Sequence, residues 1–90
     1  MVNKQEISKA LKEIVQDVVD YKYVALCSNF ESNTHLENEL GLDSLDMCEV
    51  IMKLEDYFGF RMMPDDDEEF SKMNHTVGNI VDFVYRILSK

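Results

Sequence analysis

The chain has 90 residues, of which 46% are hydrophobic and one is proline, which predicts a single compact domain over residues 1–90. Its formal net charge is −9, and residues 37–69 carry −10, so we exclude nucleic acid and anionic lipid as partners and expect proteins with basic patches. No stretch is apolar enough for a membrane span or a signal peptide. Cys27 and Cys48 lack the spacing of a disulfide framework or a zinc site, which suits a reducing compartment. We therefore expect a cytoplasmic protein.

The first predicted element is an amphipathic helix from Asn3 to Asp20. Its apolar residues recur one or two helical turns apart, with lysines and glutamates between them. The next residues show no clean period, so we predict a long first connection over Tyr21–Asn33. Leu36 and Leu40 then lie one helical turn apart before Gly41, which predicts a short turn that breaks at the glycine.

The second predicted helix extends from Ser44 to Phe58, and Gly59 supplies a C-terminal cap. On a helical wheel its apolar side chains form two stripes on nearly opposite sides. The stripe assigned to the core consists of Met47, Val50, Ile51, Leu54 and Phe58. The other stripe consists of Leu45, Cys48 and Met52. We expect this second stripe to be exposed and to dock on an apolar patch with a basic rim, although individually tolerated surface residues would give the same pattern.

Two further helices complete the predicted fold. Pro64 and the acidic run after it predict a short helix that reaches Lys72 or Met73, because proline and carboxylates suit a first helical turn. Thr76, a good N-cap, begins the last helix, which buries valines and isoleucines at helical spacing. The predicted fold is therefore all-α, a four-helix bundle with one short helix and a long first connection.

Ser44 lies in the first turn of the second helix. Unpaired N–H groups and the positive end of the helix dipole favour a phosphate there, and a group attached to the hydroxyl would project from an accessible loop. Serine is also among the best N-cap residues, so from the residues alone a purely structural role for Ser44 is favoured.

The segment Glu39–Asp46 (ELGLDSLD) resembles the attachment signature of acyl carrier proteins, in which Asp-Ser-Leu follows a Leu-Gly pair. The similarity continues in the family's order and close to its spacing through Glu49, Met52, Leu54-Glu55, Phe58-Gly59, Pro64-Asp65 and Thr76-Val77-Gly78. The resemblance implies that Ser44 bears a 4′-phosphopantetheine arm, taken from coenzyme A by a phosphopantetheinyl transferase. It further implies a carrier, not an enzyme, whose arm holds acyl intermediates as thioesters for partner enzymes of fatty-acid or related acyl biosynthesis.

In that family the helix after the serine recognises partners through its outward acidic and apolar positions. The resemblance assigns partner docking here to Asp43, Leu45, Asp46, Cys48, Glu49, Met52 and Asp56. Carriers of the family also fold fatty acyl chains into the bundle. We expect such a cavity to be lined by Val50, Ile51, Leu54, Phe58, Ile80 and Val84. We also expect the protein to be a monomer.

Two alternatives remain open. Lys53, Tyr57 and Arg61 depart from the family pattern, so we expect partner preferences that differ from those of a housekeeping carrier. A specialised carrier for polyketide or aminoacyl units is the first alternative, although the Leu-Gly-Leu-Asp-Ser-Leu-Asp context favours acyl groups. An acidic protein-interaction adaptor, never modified, would use the exposed stripe without any arm. The sequence has no patterned catalytic pair or metal-ligand set, so we predict neither catalysis nor a metal site, and we expect His35 and His75 at the surface or at helix ends.

Overall fold

The computed structural model describes residues 2–18, 31 and 33–89. Its helices are α1 (Lys4–Val18), α2 (Ser44–Phe58), α3 (Pro64–Lys72) and α4 (Val77–Leu88), and among the described residues the only bridge of strand type is isolated. The all-α prediction with one short helix is confirmed. Most of the predicted first connection, and the predicted last two residues of the first helix, lie outside the described residues.

The helix ends follow local signals in the sequence. Gly59 adopts a left-handed conformation with φ of 70°, which is readily available only to glycine, and its N–H donates to the Glu55 carbonyl at 2.8 Å. Pro64 is the first residue of α3, where its missing N–H has no helical partner to lose. The Thr76 hydroxyl oxygen accepts from the Asn79 N–H at 3.2 Å and caps α4.

One apolar core joins the helices, with α1 packed against both α2 and α4. The helical residues of this core are Ile7, Leu11, Ile14, Val15, Met47, Val50, Ile51, Leu54, Phe70, Val77, Ile80, Val81, Phe83 and Val84. The prediction that Phe58 belongs to the core is only partly right, because this last residue of α2 lies at the edge and is half-buried. Phe83 was not predicted to belong to the core, yet it is 2% exposed, and its ring centroid lies 5.6 Å from that of Phe70 in α3.

The segment before α2 is anchored to the start of α4. Leu36 N–H donates to the His75 carbonyl at 3.0 Å, and Val77 N–H donates to the Thr34 carbonyl at 2.9 Å. Gly41, with φ of 75°, turns the chain as predicted. The three leucines of the segment, Leu36, Leu40 and Leu42, are all buried. The residues that lead into α2 are therefore held in place by both core packing and backbone hydrogen bonds.

Candidate attachment and docking site

Ser44 is the first residue of α2, and it is exposed to solvent. Its neighbour Asp43 is the N-cap: the Asp43 Oδ1 accepts from the Asp46 N–H at 2.8 Å, and the Asp46 Oδ2 accepts from the Asp43 N–H at 3.1 Å. The alternative in which Ser44 is the N-cap is therefore wrong, because a reciprocal capping box already fills that position. The Ser44 hydroxyl is left at an accessible helix start, with no part in capping α2.

Replacement of Asp43 tests the capping box directly. We expect Asp43→Ala to lower the free energy of unfolding by about 1 kcal/mol, because the Asp46 N–H loses its side-chain acceptor. Asp43→Asn should recover most of this difference, since asparagine caps helices about as well as aspartate. Urea denaturation followed by circular dichroism measures both variants, and equal stability of Asp43→Ala and the unmodified protein would contradict the assigned cap.

The outward apolar stripe of α2 is exposed, as the helical wheel indicates. Leu45 and Met52 are 79% and 63% exposed, and Cys48 between them is also exposed. On the other side of the same helix, Met47 is 2% exposed. A continuous apolar strip in water next to a helix start is typical of a surface that partners cover.

The acidic side chains assigned to docking fall into two kinds. Glu49 and Asp56 are exposed, and no hydrogen bond or ion pair joins either carboxylate to another described side chain or backbone group. Asp43 and Asp46 instead accept backbone hydrogen bonds within the capping box, and Asp46 is half-buried. Substitutions at the second pair therefore change helix stability together with surface charge, whereas Glu49 and Asp56 report on surface charge alone.

Two mostly apolar pockets lie along the groove between α2 and α3. The first has a volume of about 230 Å³ and is lined by Glu37, Ser44, Met47, Cys48, Phe70, Ser71 and His75. The second has a volume of about 440 Å³ and is lined by Cys48, Ile51, Met52, Glu55, Met62, Asp67, Phe70 and Ser71. Ser44 thus stands at the end of an apolar groove. Among the six core residues expected to line an acyl cavity, only Ile51 lines these two pockets, because the others pack against the core.

Comparison with known proteins identifies the family. A family model described as the phosphopantetheine attachment site matches residues 9–84. An acyl carrier protein of Lactobacillus acidophilus is 32% identical over 83 residues, which cover 92% of this chain and 94% of that protein. The chain belongs to the acyl carrier protein family. The resemblance read from ELGLDSLD is thereby confirmed, together with the carrier function, the phosphopantetheine cofactor and partners that handle acyl groups.

The sequence did not predict the burial of His75 in this acyl carrier protein. Instead of lying at the surface, it is 9% exposed, although it does sit next to the start of α4. Its Nδ1 lies 2.6 Å from Glu37 Oε1, and its Nε2 lies 2.7 Å from the Phe70 carbonyl oxygen. No local signal could have revealed this burial, because Glu37 is 38 positions away in the sequence.

Tyr57 and Met63 are two further exposed hydrophobic residues of the carrier. Each is 64% exposed, and neither was assigned to docking. Tyr57 lies on the flank of α2, and Met63 lies in the connection between α2 and α3. The helical wheel could not place Met63, because that residue is not in a helix.

Among the described residues, no helix is long and apolar enough to cross a bilayer.

Proposed function

We propose that Ser44 carries the 4′-phosphopantetheine arm, within a single carrier domain that extends over residues 1–90. The observation that supports this assignment best is the exposed Ser44 hydroxyl at the start of α2, inside the Leu-Gly-Leu-Asp-Ser-Leu segment and beside an apolar groove. The arm supplies a terminal thiol that holds an acyl group as a thioester. The protein itself needs no catalytic group, since partner enzymes perform the chemistry.

The residues around Ser44 fit this role. The capping box fixes the first turn of α2 and therefore the position from which the arm leaves the protein. Because Asp43 already occupies the Asp46 N–H, a phosphate on Ser44 Oγ must use other donors of the first turn or water. This arrangement keeps the base of the arm at the surface, where partner enzymes reach it.

The outward face of α2 is the proposed docking surface. It consists of Asp43, Leu45, Asp46, Cys48, Glu49, Met52 and Asp56. Its apolar strip would be buried against a partner's apolar patch, and its carboxylates would attract a basic rim. The phosphopantetheinyl transferase and the acyl-handling enzymes are the proposed partners. The charge of −10 over residues 37–69 steers such partners to this face and repels nucleic acid. We propose a monomeric carrier of the cytoplasm that serves fatty-acid or related acyl synthesis.

Intact-mass spectrometry tests the proposal. The purified chain is incubated with coenzyme A, Mg²⁺ and a broad-specificity phosphopantetheinyl transferase, and its mass is measured before and after. We expect a gain equal to one phosphopantetheine group, and proteolytic mapping should locate that gain on the peptide that contains Ser44. An unchanged mass, with a control carrier modified in the same reaction, would contradict the proposed function.

A further inference from the structure

The two pockets of the α2–α3 groove share one buried wall. Cys48, Phe70 and Ser71 line both pockets, but Cys48 and Ser71 are exposed at the rim, whereas Phe70 is 9% exposed. The phenyl ring of Phe70 is therefore the part of the inner wall that both pockets have in common. Ser44 lines only the first pocket, and Met52 lines only the second, roughly 12 Å further along α2 at the rise of an α-helix.

His75 holds the Phe70 ring in this position. The imidazole stacks on the phenyl ring with centroids 4.5 Å apart and an interplanar angle of 30°. The same imidazole lies within hydrogen-bond distance of the Phe70 carbonyl oxygen and of Glu37 Oε1. The phenyl ring also lies beside Phe83 of α4, with ring centroids 5.6 Å apart. His75 thus holds Phe70 through both its carbonyl group and its ring, and Phe83 packs beside the same ring.

His75 also ties this wall to the segment that leads to Ser44. Glu37 belongs to the short turn before α2, and its neighbour Leu36 donates a backbone hydrogen bond to the His75 carbonyl at 3.0 Å. A shift of the Phe70 ring must therefore break its stacking with His75 or move the turn itself. A single ring position is favoured as long as His75 keeps its two side-chain contacts.

We propose that Phe70, held by His75, sets the length of acyl chain that this carrier shelters. A short chain on the arm enters the first pocket beside Ser44 and ends against the phenyl ring. A longer chain reaches the second pocket only when that ring moves out of its stacked position. This inference rests on the proposed attachment at Ser44, which lines the first pocket, so that the flexible arm can fold back and bring its thioester to the mouth of that pocket.

Cleavage of the thioester by hydroxylamine measures how well each chain is sheltered. The carrier is loaded from butyryl, octanoyl and myristoyl coenzyme A, and each cleavage rate is compared with that of the same thioester on free pantetheine. Burial of one methylene shifts an equilibrium by roughly fourfold, so protection should rise with chain length until the first pocket is full. In the unmodified sequence we expect little further protection from octanoyl to myristoyl.

Phe70→Leu keeps an apolar side chain in the core but removes the planar ring that stacks on His75. We expect this variant to protect the myristoyl thioester roughly fifteenfold better than the original protein, the factor expected when about two further methylenes are sheltered. His75→Gln should shift protection in the same direction, because it removes the stacking partner and leaves Phe70 unchanged. Phe60→Leu is the matched control, since Phe60 is a half-buried phenylalanine that lines neither pocket.

A second readout follows the ring itself. In the original protein the nuclear magnetic resonance signals of the Phe70 ring should shift as the chain grows from butyryl to octanoyl and fills the first pocket. They should shift little further with a myristoyl chain, because the ring keeps its stacked position. Protection that rises equally in Phe70→Leu and Phe60→Leu, or that continues to rise with chain length in the original protein, would overturn the inference. Failure to load any chain onto Ser44 would instead contradict the proposed function, so the two failures are distinguishable.

Discussion

Replacement of Ser44 by alanine should abolish the attachment of phosphopantetheine completely. No other group could replace the hydroxyl oxygen that forms the phosphodiester at this position, and the residue has no part in capping α2. We therefore expect Ser44→Ala to keep its mass after incubation with coenzyme A and transferase, while its free energy of unfolding changes by less than about 0.5 kcal/mol, as is usual for exposed positions. Mass spectrometry and urea denaturation on the same preparation measure both quantities.

Ser71 provides the matched control for this variant. It is also an exposed serine that lines the first pocket, but it lies on α3, where its hydroxyl donates to the Glu68 carbonyl at 2.9 Å. Ser71→Ala should gain the arm at the rate of the original protein. Modification of Ser44→Ala, or loss of modification in Ser71→Ala alone, would move the attachment site away from Ser44. Unimpaired partner binding by Ser44→Ala without loss of any biological activity would favour the unmodified adaptor.

The bounds of α2 could be predicted from the sequence because every signal that sets them is local. Gly59 ends the helix through its own left-handed conformation, and the spacing of the two apolar stripes needs only the pitch of an α-helix. The exposure of Leu45 and Met52 followed from one physical constraint, namely that a small bundle cannot bury opposite faces of the same helix. Pro64 identified the start of α3 for an equally local reason.

The features that could not be predicted depend on competition between neighbouring capping residues, or on contacts between residues that are far apart in the sequence. Asp43 and Ser44 are both good N-cap residues, and only the pairing of Asp43 with Asp46 decides which of them caps α2. The burial of His75 depends on Glu37, which the fold brings close across 38 positions of sequence. Its stacking on Phe70 places an aromatic wall in the groove that no periodicity encodes. The groove beside the attachment site is therefore a tertiary feature.

Reversal of the charge on Glu49 should slow the modification of Ser44 without unfolding the protein. Glu49 is exposed on α2 beside the apolar strip, so Glu49→Lys places a positive charge against the basic rim expected on the transferase. We expect kcat/KM of the transferase for this variant to fall roughly tenfold at low ionic strength and to approach that of the original protein as salt is added. Steady-state kinetics at several salt concentrations measure the difference.

Glu13→Lys is the control that separates a local effect from one of net charge. Glu13 is an exposed carboxylate on α1, and its reversal changes the total charge by the same amount as Glu49→Lys. We expect the transferase to accept Glu13→Lys nearly as well as the original protein, because the change lies away from the outward face of α2. Equal loss in the two variants would show that overall charge attracts the transferase and that α2 is not the docking surface. Asp46→Lys is less informative, since it breaks the capping box and so combines altered docking with a weakened helix start.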